Sequence, residues 1–99
     1  MKGLSESEKV GYEILKRYEG GFVSRRDGAI AVKILKEDKT LLVWIRQSPI
    51  TQDALKLFKK IAEKHEYDEL VLLKLYSEAD YVKFSELSQF RIVKSVDEL

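Results

Sequence analysis

The sequence predicts one α/β domain, a mixed β-sheet with helices packed on it, and three observations carry that reading. A chain of 99 residues is long enough for one core and too short for two. Its apolar periodicity switches from helical to alternating and back, in the order α-β-β-β-α-β with a β-rich tail. The early strands are joined by tight turns, so they form a meander, and a helix then returns the chain to a further strand. Residues 1–99 are therefore read as a single α+β mixed-sheet domain.

Each element has its own signal. Ser5 with Glu8 three residues on is a capping-box pattern, and Val10, Ile14, Leu15 and Tyr18 make one apolar stripe. Gly20-Gly21 is expected to end this first helix, because glycine accepts the left-handed conformation that follows a last turn. Phe22–Arg26 reads as a strand leading into Asp27-Gly28, a favoured hairpin turn, and Ala29–Leu35 as its partner. Lys36-Glu37-Asp38-Lys39 is the next turn, and Thr40–Arg46 a third strand ending at Gln47-Ser48-Pro49. Pro49 and Thr51 mark a second helix, whose residues Ala54, Leu55, Phe58, Ile61, Ala62 and His65 recur at three and four. Leu70–Tyr76 is a nearly continuous apolar run, as in a central strand. Tyr81–Phe84 is expected as a short strand, Ser85–Phe90 as a helical turn and Arg91–Val96 as an edge strand.

Composition bounds the function. With 44% apolar and 35% charged residues the chain is too hydrophobic for a disordered tail. No apolar run approaches the roughly 20 residues that span a bilayer, so no membrane association is expected. The start, MKGLSESEKV, has no apolar h-region, which points to a cytoplasmic protein. The absence of Cys excludes a disulfide framework, a thiolate zinc site and a cysteine nucleophile. Scarce amide residues with dense charge suggest heat adaptation. The 18 basic and 17 acidic residues nearly cancel, yet residues 21–48 carry a local excess of three positive charges. Arg25, Arg26, Lys33 and Arg46 belong to that excess and are the candidate phosphate-binding residues.

Familiar catalytic constellations fail in turn. The single histidine, His65, is expected in the last turn of the second helix, where a cation suits the helix dipole, and no nucleophile elbow accompanies it. There is no phosphate-loop motif, no dinucleotide fingerprint and no His pair at metal spacing.

The element order with its hairpin is the minimal plan of the restriction-endonuclease-like PD-(D/E)XK nucleases, and the residues most resemble archaeal Holliday-junction resolvases. The likeness runs over about residues 8–93. It rests on Val10-Gly11-Tyr12-Glu13-Ile14-Leu15, Phe22-Val23-Ser24-Arg25-Arg26, Ala29-Ile30-Ala31-Val32, Leu41-Leu42-Val43-Trp44-Ile45-Arg46 and Val82-Lys83-Phe84-Ser85-Glu86-Leu87. In that family an Asp and the Glu of an E-x-K motif hold Mg²⁺, and the Lys orients or deprotonates the attacking water. Here Trp44 and Arg46 stand at the E-x-K positions, and the Asp position falls on Ala29 or Ala31 according to register. Glu13 and Asp27 are the remaining candidate carboxylates, although Asp27 also suits a turn. Mg²⁺ takes near-octahedral oxygen ligands, usually with more than one anchoring carboxylate beside the phosphate, and arginine is no base at neutral pH. The resemblance thus implies a catalytic centre that has been dismantled, with no metal and no cofactor expected.

Small alanines opposite Trp44 suggest a filled pocket, with base stacking as the alternative for that ring. Arg46 keeps a positive charge that could engage phosphate. The expected function is a catalytically inactive, resolvase-like protein that binds branched or duplex DNA, or a recombination or repair partner. The resemblance implies a homodimer, or a heteromer with an active nuclease. A scaffold docking another protein through Tyr67, Tyr76 and Tyr81 is the second reading, favoured by near-neutral charge. The third is an active nuclease with migrated ligands Glu13, Asp27 and Lys33 or Lys36.

Overall fold

A computed structural model describes residues 3–99. Two helices and five strands follow one another as α1 (Glu6–Arg17), β1 (Glu19–Arg26), β2 (Ala29–Lys36), β3 (Lys39–Arg46), α2 (Gln52–Ala62), β4 (Glu69–Lys74) and β5 (Phe90–Val93). All strands lie in one sheet in the order β1-β2-β3-β4-β5. The first three form an antiparallel meander, and β3, β4 and β5 run parallel. Parallel neighbours need a crossover, and α2 supplies it between β3 and β4. The result is a compact α+β domain in three layers, with the mixed sheet in the middle.

The two faces of the sheet follow from strand alternation. Ile30, Val32 and Ile34 of β2 and Leu41, Val43 and Ile45 of β3 pack with Ile14 of α1 and with Val96 and Leu99 near the C-terminus. On the other face Ala31, Leu42, Trp44, Leu70 and Leu72 meet Leu55, Phe58 and Ala62 of α2, together with Leu87 and Phe90. Strands buried on both faces read as continuous apolar runs, which is why β2, β3 and β4 were legible.

Both helices begin at the expected caps. Ser5 Oγ accepts the Glu8 N–H at 3.2 Å, and Thr51 Oγ1 accepts the Ala54 N–H at 3.2 Å. The glycine pair does not end α1. Tyr18 already turns extended after donating its N–H to Ile14 O, and Gly20 and Gly21 lie in β1. Gly20 serves a close approach instead, since a Cβ there would collide with the Lys33 carbonyl oxygen. The second turn places Glu37 and Asp38 at φ 49° and 67°, both left-handed, which suits the twist of a two-residue hairpin.

Several boundaries differ from the expectation, and β4 ends at Lys74, two residues before Tyr76. Helix α2 stops at Ala62, and Lys64 and His65 close tighter turns onto Ile61 and Ala62. Tyr81–Phe84 is not a strand, because its backbone donors are taken elsewhere: Tyr81 N–H by Ile50 O at 2.9 Å and Lys83 N–H by the Glu86 carboxylate at 2.9 Å. A 3₁₀ turn, Phe84–Leu87, follows. The last strand starts at Phe90 and leaves the sheet after Val93, where the Lys94 N–H turns to the Glu98 carboxylate at 2.8 Å.

Candidate functional site

The candidate site lies where β3 and β4 end, the side of an open sheet on which connecting loops gather and ligands bind. Register brings Arg46 beside Lys74 across the β3–β4 pair, and Arg26 beside Ala29 across the β1–β2 pair. Ile30 opposes Ile45, so Ala29 and Arg46 follow as neighbours one position further on. Ala31 opposes Trp44. The four expected motif positions thus occupy two adjacent rows on the face that α2 covers.

None of the four is free for a ligand. Ala29, Ala31 and Trp44 are 0% exposed. The Trp44 ring stacks on Phe58, with centroids 4.5 Å apart and planes 2° from parallel, and its Nε1 donates to Gly28 O at 3.1 Å. That geometry settles Trp44 as core and removes it from base stacking.

Arg46 is also internal, at 6% exposure. Its Nη1 donates to Gly28 O at 2.9 Å, its Nε to Ser48 O at 3.1 Å, and its Nη2 to Pro49 O at 2.6 Å and Ser48 Oγ at 3.3 Å. A guanidinium fork engaged on this many oxygens ties the first hairpin turn to the segment that enters α2. Burial pulls its pKa below the ordinary value, while Tyr76, Asp80 and Asp27 oppose that shift. As a phosphate ligand Arg46 is therefore corrected: its donors hold carbonyls.

The other expected residues separate. Arg25 and Arg26 are consecutive in β1 and so leave opposite faces of the sheet. Arg25 pairs with Glu8 at 3.3 Å and lies over the Phe22 and Tyr12 rings at 5.1 and 5.5 Å. Arg26 is exposed at the turn. Lys33 lies opposite Gly21, toward the far end of the sheet, and Lys36 Nζ contacts Leu99 O. Glu13 pairs with Arg17 at 3.4 Å on the surface of α1, and Arg17 with Asp97 at 2.6 Å. The α1 residue that does reach the candidate site is Ser7, buried, whose N–H and Oγ both donate to Gln47 Oε1 at 2.9 Å. It lines a cavity of about 130 Å³ with Asp27, Gly28, Arg46, Gln47 and Ser48. Among the described residues no three His, Asp or Glu side chains gather as a metal centre.

One group at this end escaped the sequence reading. Asp80 Oδ1 accepts the Ile50 N–H at 2.9 Å and the Tyr76 hydroxyl, and Oδ2 accepts from Lys74 Nζ at 3.3 Å. Burial alone would raise the Asp80 carboxyl, but these three donors outweigh it and hold the pKa below the usual carboxylate value. Burial and then the Asp80 hydrogen bond push the Tyr76 phenol well above its ordinary value. The shared parity of Lys74 and Tyr76 was visible in the sequence; the loop that returns Asp80 to them was not. Asp80 also fixes the segment bearing Tyr81 and Phe84, aromatic rings that are 74% and 81% exposed.

Comparison with known proteins finds no matching family model, no matching curated protein and no matching solved structure. No helix among the described residues is long and apolar enough to cross a membrane.

Proposed function

We propose that this chain is a non-catalytic module with a restriction-endonuclease-like fold that binds branched DNA through the end of the sheet where an active relative would cut. The observed order α-β-β-β-α-β supports the fold reading. The observation that carries the function is the closed state of the motif positions. Trp44 and Arg46 seal them with internal hydrogen bonds and stacking, so no carboxylate pair is presented to a metal. Around that sealed end the exposed groups are of the kind that hold nucleic acid without chemistry. Arg26 and Lys83 are cations for phosphate, and Tyr81 and Phe84 are faces for unpaired bases. The loop bearing the aromatics is braced by Asp80, by the Tyr81–Ile50 hydrogen bond and by Gln52 on Glu86 at 3.0 Å. Little ordering entropy then remains to oppose binding.

The test is a set of gel-shift titrations against four-way, flap, single-stranded and duplex DNA at several salt concentrations. A shallow salt slope is expected, reflecting few neutralised phosphates. Arg26→Ala and Lys83→Ala should each weaken binding by about 1 kcal/mol, alike across sequences. Phe84→Leu, which keeps apolar surface but loses the ring, should weaken only substrates with unpaired bases. Absence of binding to every substrate at low salt overturns the proposal.

A further inference from the structure

The outer face of α2 carries charges that the fold does not use. Leu55, Phe58 and Ala62 are buried against the sheet, and the exposed residues of the helix, Gln52, Asp53, Lys56, Lys59 and Lys60, are all polar or charged. Positions four apart share one face, about 6 Å apart along the axis, so Lys56 and Lys60 stand in line. Lys64 follows them, in the tighter turn that its N–H closes onto Ile61 O. From Gln52 to Lys64 four lysines stand against Asp53 and Glu63, an excess of two positive charges in a chain whose net charge is +1. None of the four has an ion-pair partner among the described residues. Like charges four apart weaken a helix, so the arrangement does not serve the helix itself. Helix α1 does the opposite: Glu6, Glu8 and Glu13 balance Lys9, Lys16 and Arg17, and Glu13 precedes Arg17 in the favoured order at 3.4 Å. The helix dipole accounts for Lys59 and Lys60 in the last turn of α2, but not for Lys56 a turn earlier.

We infer that Lys56, Lys60 and Lys64, with Lys59 beside them, form a ridge that holds the phosphate backbone of a DNA duplex. The inference rests on the proposed DNA binding for the identity of the polymer and adds the surface on which a paired arm lies. Charge complementarity selects the partner. Protein interfaces are poor in lysine and are anchored by buried aromatic or apolar groups, and this face exposes no apolar side chain. A duplex instead offers a phosphate about every 1.7 Å of its axis, so a row of ammonium groups finds partners at any register. Lysine is a point charge on a flexible stem, suited to contacts that position a backbone without reading its sequence. The ridge is also continuous with groups already proposed to meet DNA. Gln52, the first residue of α2, donates to the Glu86 carboxylate at 3.0 Å, which sets the start of the helix beside the turn that bears Lys83 and Phe84.

The test is fluorescence anisotropy of a labelled blunt duplex and of a four-way junction over a salt series. The natural chain should bind the duplex saturably at low salt. The triple variant Lys56→Gln, Lys60→Gln, Lys64→Gln keeps good helix formers at exposed positions, so its circular dichroism and thermal melting should match the natural chain. Its duplex affinity should fall about tenfold or more, and the slope of log affinity against log salt should flatten by about 2–3. Glu63→Gln removes a negative charge from the same face and should tighten duplex binding, a gain that loss of folding cannot mimic. A triple variant that binds duplex as the natural chain does, or a Glu63→Gln chain that binds no tighter, overturns the ridge and leaves the proposed function standing. So does a natural chain that takes the junction and ignores the duplex. Polyglutamate that displaces the duplex as well as unlabelled duplex does at equal charge would assign the ridge to an acidic protein and overturn the inference. Failure of the natural chain to bind any DNA overturns the ridge and the proposed function together.

Discussion

Arg46 shows how one side chain decides between chemistry and architecture. At the end of a strand an arginine is a plausible phosphate ligand, and sequence supplies no reason to prefer another role. Burial at 6% exposure does. Its guanidinium holds Gly28 O, Ser48 O and Pro49 O, so the residue is a staple between the first hairpin and the start of α2. Removing it leaves several carbonyl oxygens short of a donor. Arg46→Met should therefore destabilise the fold by roughly 2–4 kcal/mol in urea unfolding, and Arg46→Lys should recover only part, because an ammonium cannot span the same oxygens. Unchanged stability with lost DNA binding would show the residue acting on a ligand instead. Trp44 teaches the same lesson. The small residues facing it, Ala29 and Ala31, announced a filled pocket in the sequence, and the stacking on Phe58 completes it.

At the scale of elements, legibility followed the range of the interaction. Helix caps, the Asp27-Gly28 turn and the apolar alternation of β2 and β3 are set by neighbours within a few residues, and those elements fall where expected. Gly20-Gly21 and Tyr81–Phe84 did not, because tertiary contacts override local preference there. Gly20 is needed for closeness to β2, not to end a helix. Tyr81–Phe84 has strand-like composition but no strand beside it; Ile50 O and the Glu86 carboxylate take its amides. The loop is held through Asp80, and that gives a pH dependence. A carboxylate whose folded pKa is depressed adds stability that is present above its unfolded pKa and lost as pH falls through the folded value. Tyr76 has the opposite sign. Its raised pKa adds stability below the unfolded tyrosine value of about 10, lost as pH rises beyond it. Asp80→Asn keeps an acceptor for Ile50 and Tyr76 without the charge. Its melting temperature should therefore fall less than that of the natural chain as pH drops from about 6 to about 3. Parallel pH profiles for the two would remove Asp80 as the anchor.

For the whole molecule, the two ends of the sheet expose different groups. One end carries Arg26 and, held on Ile50, Tyr81, beside a core closed by Trp44 and Arg46. The other carries the open corner of β1 and β2. The mixed sheet could be anticipated from element order, but the separation of the cations could not, since it depends on register and on which strand face each residue takes. Arg25 and Arg26, adjacent in sequence, part to opposite faces for that reason. The sheet end is proposed to bind branched DNA and to cut nothing. The most direct test of that proposal is fluorescence anisotropy of a labelled four-way junction with and without Mg²⁺, with the same samples then run on a denaturing gel. Saturable binding is expected in both conditions, with an intact strand in every lane. Mg²⁺-dependent nicking that disappears in Glu13→Ala or Asp27→Ala would contradict it.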